Sequence, residues 1–164
     1  MIRVKRYNSR NKLKRITESK SGGIKKAAGV CILYKNNILL VHASDSNKER
    51  NAYGIPKGGI ENGEDYLEAA VREVKEETGI SINPRVLDKE VNVANSYNRK
   101  GEVSWQLYYY IYRVDDLSEL GMSELTVNKE DIQIEEIDWA GFVPVDKAYE
   151  IINRSQLIIL DRVR

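Results

Sequence analysis

Residues 55–80, IPKGGIENGEDYLEAAVREVKEETGI, constrain this chain more than any other stretch. A glycine-rich loop runs into a helical pattern from about Asp65 to Glu77, and Gly79 closes it. The last turn carries Glu73, Glu76 and Glu77, although the C-terminal end of a helix already bears partial negative charge. Glu73 and Glu77 are also spaced i, i+4, which costs a further 0.2–0.5 kcal/mol or roughly so. At about 100° per residue, Leu67, Ala70, Val71 and Val74 share one face, and the three glutamates occupy an adjoining arc. The pattern predicts a helix that buries one side and presents a compact set of carboxylates on another.

Three carboxylates with no cysteine or histidine among them are oxygen-only chemistry. Such a set suits Mg²⁺ or Mn²⁺, hard cations that keep waters and share substrate phosphates. The glycines upstream allow backbone to approach a ligand closely. The plainer alternative is a solvated charged face. The crowding of like charge at the wrong helix end, directly after a glycine loop, argues for the cation.

At 164 residues the chain is long enough for one domain with a sizeable core. Residues 1–26 hold ten Lys or Arg against Glu18 alone, a net +9; the whole chain is +1, so the rest carries −8. Residues 1–23 are read as a basic N-terminal arm and 24–164 as the folded domain. The arm is either solvated chain or an electrostatic collar for a polyphosphate or RNA partner. Cys31, the sole cysteine, lies in the apolar run AGVCILY and reads as a buried small hydrophobe. No apolar run reaches the length of a membrane span, and the basic N-terminus lacks the apolar centre of a secretory signal. A cytoplasmic location with no membrane partner is the expectation.

Periodicity predicts strands over 26–34, 38–43, 85–93, 103–114 and 136–143, a helix from Pro144 to about Asn153, and a short closing helix in QLIILDRV. Residues 44–52 and 115–131 read as loops. Alternation along 103–114 places Trp105 and Tyr109 on one face, with Tyr108, Tyr110 and Tyr112 on the other. Strands mixed with few helices imply an α/β (α+β) class, a mixed sheet with helices on both faces.

Residues 58–80 resemble the Nudix box, G-x5-E-x7-R-E-U-x-E-E-x-G-U with U aliphatic. Gly58, Glu64, Arg72, Glu73, Val74, Glu76, Glu77, Gly79 and Ile80 fall at its specified positions. The resemblance implies an α/β/α sandwich around a mixed sheet, and metal-dependent hydrolysis of a nucleoside diphosphate linked to another group. By position, Glu73, Glu76 and Glu77 would bind Mg²⁺ or Mn²⁺ with a backbone carbonyl near Lys57 or Gly58. Arg72 would orient Glu73, and Glu64 would brace the loop. The general base would be a box glutamate or one of Glu130, Asp131, Glu135 and Glu136.

The flanks are similar to those of dinucleoside polyphosphate (Ap4A) hydrolases. Lys57 stands in a P-K-G turn, Tyr53 sits where many of these enzymes have Trp, and Tyr97 follows Ile80 by 17 positions. Lys57 would meet a phosphate, and Tyr97 either stacks on a base or packs at a strand end. His42, the one histidine, ends a strand near the same place, in a rim or structural role. The substrate expected is therefore a nucleotide polyphosphate. Alternatives are an RNA 5′ end contacted through the basic arm, a diphosphoinositol phosphate, or, outside catalysis, a silent nucleotide-binding regulator with a damaged box. The box here is intact.

Overall fold

The computed structural model describes residues 23–44, 53–133 and 135–164. Nearly all of the basic arm and most of the polar loop 44–52 lie outside the described residues.

The alternating and fully apolar runs become the sheet. Strand β1 (Lys25–Tyr34) turns at Lys35–Asn36 into β2 (Asn37–Ala43). Two short strands follow, β3 (Tyr53–Gly54) and β4 (Lys57–Gly59), and then helix α1 (Tyr66–Thr78). Next come β5 (Asn92–Tyr97), β6 (Val103–Val114), β7 (Ile137–Pro144), α2 (Val145–Ile151) and α3 (Leu157–Val163). The central path is β3-β2-β1-β6-β5, with β4 on β1 and β7 on β2. β1 and β6 are parallel, from Lys25 opposite Trp105 to Tyr34 opposite Val114; the other named pairs are antiparallel. The expected mixed sheet is present.

Helices cover both faces. Against one, α1 packs Ala69, Ala70 and Val74 onto Val30, Ile32 and Leu39. Against the other, Ile159 and Leu160 of α3 join Cys31, Leu40 and Tyr109. Each fully buried Val or Leu contributes about 1.5–3 kcal/mol. The aromatic strand alternates as its spacing predicts: Tyr109 enters the α3 side, and Tyr110 and Tyr112 the α1 side. Tyr108 stacks on Tyr66 at 3.9 Å, with the two rings 6° from parallel. Cys31 is buried.

A fork in the sheet positions the site. β1 and β2 pair only at Leu33–Ile38 and Tyr34–Asn37; β2 then diverges to run along β7. The segment carrying β3 and β4 fills the gap, pairing Tyr53 and Gly54 with β2 and Lys57–Gly59 with β1. Gly29 permits this approach, because a Cβ there would meet Pro56 O at 2.5 Å and Lys57 Cβ at 2.8 Å.

Two expectations need correction. The strand expected at 85–93 lies at 92–97. Pro84 opens a 3-10 turn (Pro84–Val86) capped by the Asn83 side chain, which accepts from Arg85 N at 3.0 Å, and this turn replaces the start of a strand. The carboxylates are not an offered outer arc either. Glu73 and Glu77 are buried, at 1% and 6% exposure, on the side of α1 that meets β4, while Leu67 and Val71 are only half-buried. Among the described residues no helix is long and apolar enough to cross a membrane.

Candidate active site

Helix α1 is bounded as its sequence requires. The Asp65 carboxylate accepts from Glu68 N at 2.7 Å, and Glu68 returns the bond to Asp65 N, forming a capping box. Gly79 ends the helix in the left-handed region at φ 76°, its N–H donating to Lys75 O.

Arg72 organises the surroundings. Its Nε and Nη2 donate to the two oxygens of Glu64 at 2.7 and 2.9 Å, a bidentate fork. Nη2 also donates to Gly59 O at 2.8 Å, and Nη1 to Glu73 at 3.0 Å and Glu76 at 3.1 Å. Glu64 in turn accepts from Glu61 N at 2.8 Å, so loop and helix are tied through one guanidinium. Burial alone would raise the Glu64 pKa; Arg72 and the Glu61 amide outweigh it and hold it below the ordinary value.

Glu73 rests against Gly58, where any side chain would occupy the space of its carboxylate. Glu77 accepts from Lys57 N at 3.2 Å. Burial pushes Glu77 well above the ordinary carboxylate range; the Lys57 charge opposes that rise, and the charges of Glu73 and Glu136 add to it. Glu136 is therefore the member of its acidic group that reaches the box electrostatically. Glu130, Asp131 and Glu135 are exposed, and Asp131 packs beside Gly79 at the helix end.

The donors fit a hard divalent cation. They are carboxylates held in a buried cradle that only glycine leaves open, and the charges of Glu73 and Glu136 crowd Glu77 so that it holds its proton without a cation beside it. Among the described residues no three such side chains converge into a ready cage, and Glu76 is turned to Arg72.

The residues expected at the rim divide. Lys57 lies on β4, while His42 and Tyr53 pair across β2 and β3, their rings 4.6 Å apart. These three border the fork. Tyr97 does not join them. It is 63% exposed at the end of β5, which β6 and β1 separate from β4, about 14 Å at ordinary strand spacing. Sequence reasoning missed Asp138, whose Oδ1 lies 2.7 Å from His42 Nδ1, and Trp139, whose ring packs against Tyr53.

A profile of the NUDIX domain matches residues 23–159. The chain belongs to the Nudix family. Like other Nudix hydrolases it is an enzyme acting on pyrophosphate bonds, a family that generally uses divalent metals. Nudix hydrolase 25 of Arabidopsis thaliana is 31% identical over 131 residues, covering 72% of this chain and 73% of the relative. An RNA pyrophosphohydrolase of Pelagibacter ubique is 40% identical over 57 residues, a match spanning only 35% of each chain. Among solved structures, a Caenorhabditis elegans Ap4A hydrolase binary complex aligns with TM-score 0.56 and 26% identity, covering 85% of this Nudix chain and 93% of that one.

Proposed function

We propose that this Nudix enzyme hydrolyses a nucleoside diphosphate linked to a second group, using Mg²⁺ or Mn²⁺, and that its substrate is a dinucleoside polyphosphate such as Ap4A. The observation that carries the reading is the buried Glu73–Glu77 pair held between Gly58, Lys57 N and Arg72. The Glu73 charge raises the pKa of buried Glu77, and a divalent cation beside the pair would let both carboxylates ionise.

Glu73, Glu76, Glu77 and the Gly58 carbonyl would hold the cations. Bound there, the metal would neutralise the pyrophosphate and lower the pKa of an attacking water. Arg72 orients Glu73 and Glu76 through its two bonds from Nη1. Lys57 offers a point charge to a phosphate oxygen. Glu136 is the general base in this reading: half-buried before β7, it takes the water proton as the new P–O bond forms and the anhydride P–O bond breaks. His42 and Tyr53 line the same fork, and Tyr97 offers a more distant stacking surface.

Likeness to the Ap4A hydrolase structure over most of both chains supports the dinucleotide substrate. A second reading, an RNA 5′ end, draws support from the RNA pyrophosphohydrolase relatives, whose matches are more local. Comparing kcat/KM for Ap4A, ADP-ribose and triphosphorylated RNA separates the two. Ap4A should exceed ADP-ribose, and deletion of residues 1–23 should leave Ap4A turnover little changed. Selective loss of RNA processing by a truncated, folded protein at physiological salt would favour the RNA reading, since a long polyanion releases counterions on binding.

A further inference from the structure

A β-bulge delivers a carboxylate to the chain's only histidine. Along β2 and β7, His42 lies opposite Trp139, but the next pair is Ala43 with Ile137, so Asp138 is an extra residue on β7. Strict alternation from Trp139 would send Asp138 to the other face of the sheet. Bulges re-aim side chains, and this one brings Asp138 Oδ1 to 2.7 Å from His42 Nδ1. Tyr53 backs the imidazole at 4.6 Å, and Trp139 meets Tyr53 edge-on at 5.9 Å. A carboxylate only accepts, so the proton of this contact sits on Nδ1, and Nε2 of the neutral ring is left as an acceptor. The His42 side chain is 22% exposed.

We infer that Asp138 is a positioning residue, fixing the tautomer and plane of His42 so that Nε2 accepts a hydrogen bond from the nucleoside part of the substrate. A bare nitrogen lone pair opposes phosphate oxygens, which are acceptors themselves, but matches a ribose hydroxyl or a nucleobase amine. The inference rests on the nucleotide reading above. Core packing does not account for the contact on the Asp138 side, since Asp138 is 45% exposed and belongs to no buried cluster.

The single histidine makes the test direct, because its ¹⁵N imidazole signals need no assignment. In the wild-type protein Nδ1 should read as protonated and Nε2 as bare, and ADP should shift the Nε2 signal. Asp138→Ala should lose that tautomer preference and raise KM for Ap4A about fivefold to tenfold, with kcat within about twofold, the scale of one hydrogen bond. Asp138→Asn, whose amide oxygen still accepts from Nδ1–H, should recover most of the loss. In a His42→Ala background Asp138→Ala should add nothing. Binding of ADP, 2′-deoxy-ADP and IDP identifies the donor, since the Asp138→Ala penalty should vanish for the analogue that lacks it. A protonated Nε2 in the wild type, an unchanged KM in Asp138→Ala, or independent effects of the two substitutions would overturn the assignment. Glu77→Gln serves as the separate control. If it is inactive while Asp138→Ala is silent, only the positioning role falls; if it turns over normally, the metal-dependent reading falls.

Discussion

Replacing Gly58 by Ala tests whether the backbone of β4 sets the position of Glu73. The added methyl would lie inside 3.0 Å of Cδ and both carboxylate oxygens of Glu73. That carboxylate is no free end: it is 1% exposed and held by Arg72 Nη1 at 3.0 Å. To regain ordinary contact, either the carboxylate or β4 must retreat by about 1 Å, and β4 is tied to β1 through Ala27–Gly29. Overpacking of this kind costs about 1–3 kcal/mol, which lowers Tm by roughly 2–12 °C in a domain of this size. A shift of about 1 Å in a catalytic ligand costs on the order of 100-fold in rate. We expect Gly58→Ala to lose about that much kcat on Ap4A, with weaker Mn²⁺ binding by electron paramagnetic resonance, while the protein stays folded at assay temperature. Gly63→Ala is the control. It meets nothing within 4 Å and pays only for φ +83°, so its kcat should be unchanged. A Gly58→Ala enzyme with wild-type kcat and Mn²⁺ affinity would refute the claim that Glu73 is held where a cation needs it.

Three further outcomes are expected. Because Glu77 has a raised pKa in the folded state, the native protein retains a proton there that the unfolded chain has released. The metal-free protein should therefore lose stability as pH rises above the ordinary carboxylate value of 4.5; Glu77→Gln should flatten that slope in EDTA melts between about pH 5 and pH 8 while abolishing turnover. Arg72→Lys cannot reproduce the fork to Glu64 together with the bonds to Glu73, Glu76 and Gly59 O, so it should cost on the order of 2–3 kcal/mol in urea denaturation and lower kcat. Burial pushes the Cys31 thiol up to about 12, so Ellman's reagent should label the native protein only as fast as it unfolds; rapid native labelling would contradict the buried placement.

Long periodic segments were legible in the sequence. β6 falls on its predicted residues, and β1, β2, α1 and β7 lie within a residue of theirs. Around Arg72 the sequence named only Glu73 as a partner; the bonds from Arg72 to Glu64 and Glu76 depend on how the loop folds back on the helix. β4 lies inside the expected glycine-rich loop and β3 just ahead of it, because strands of two and three residues carry no periodicity; pairing with β1 and β2 defines them. β5 was misplaced because apolar alternation over 85–93 competed with the turn chemistry of Asn83-Pro84, and the turn prevailed. Burial of Glu73 and Glu77 was hidden because helical spacing counts charge as solvent-facing. Only the glycine at position 58 hints at a cradle. Asp138 had no signal at all, since a bulge depends on the partner strand.

The parallel pairing of β1 with β6 governs how the enzyme assembles. Lys25 pairs with Trp105, 80 positions further along the chain, in the middle of the sheet. The entropy of closing that loop precedes any reward from the pairing, which places such a topology among slower folders than helical bundles. Helix α1, with its capping box and local Arg72 contacts, is built from near neighbours and can form first. Glu136 and the β2–β7 contacts emerge from the ribosome well after that helix. A nascent chain would thus hold its charged helix well before it holds a competent site, and hydrolysis would begin only once the final third of the polypeptide has docked.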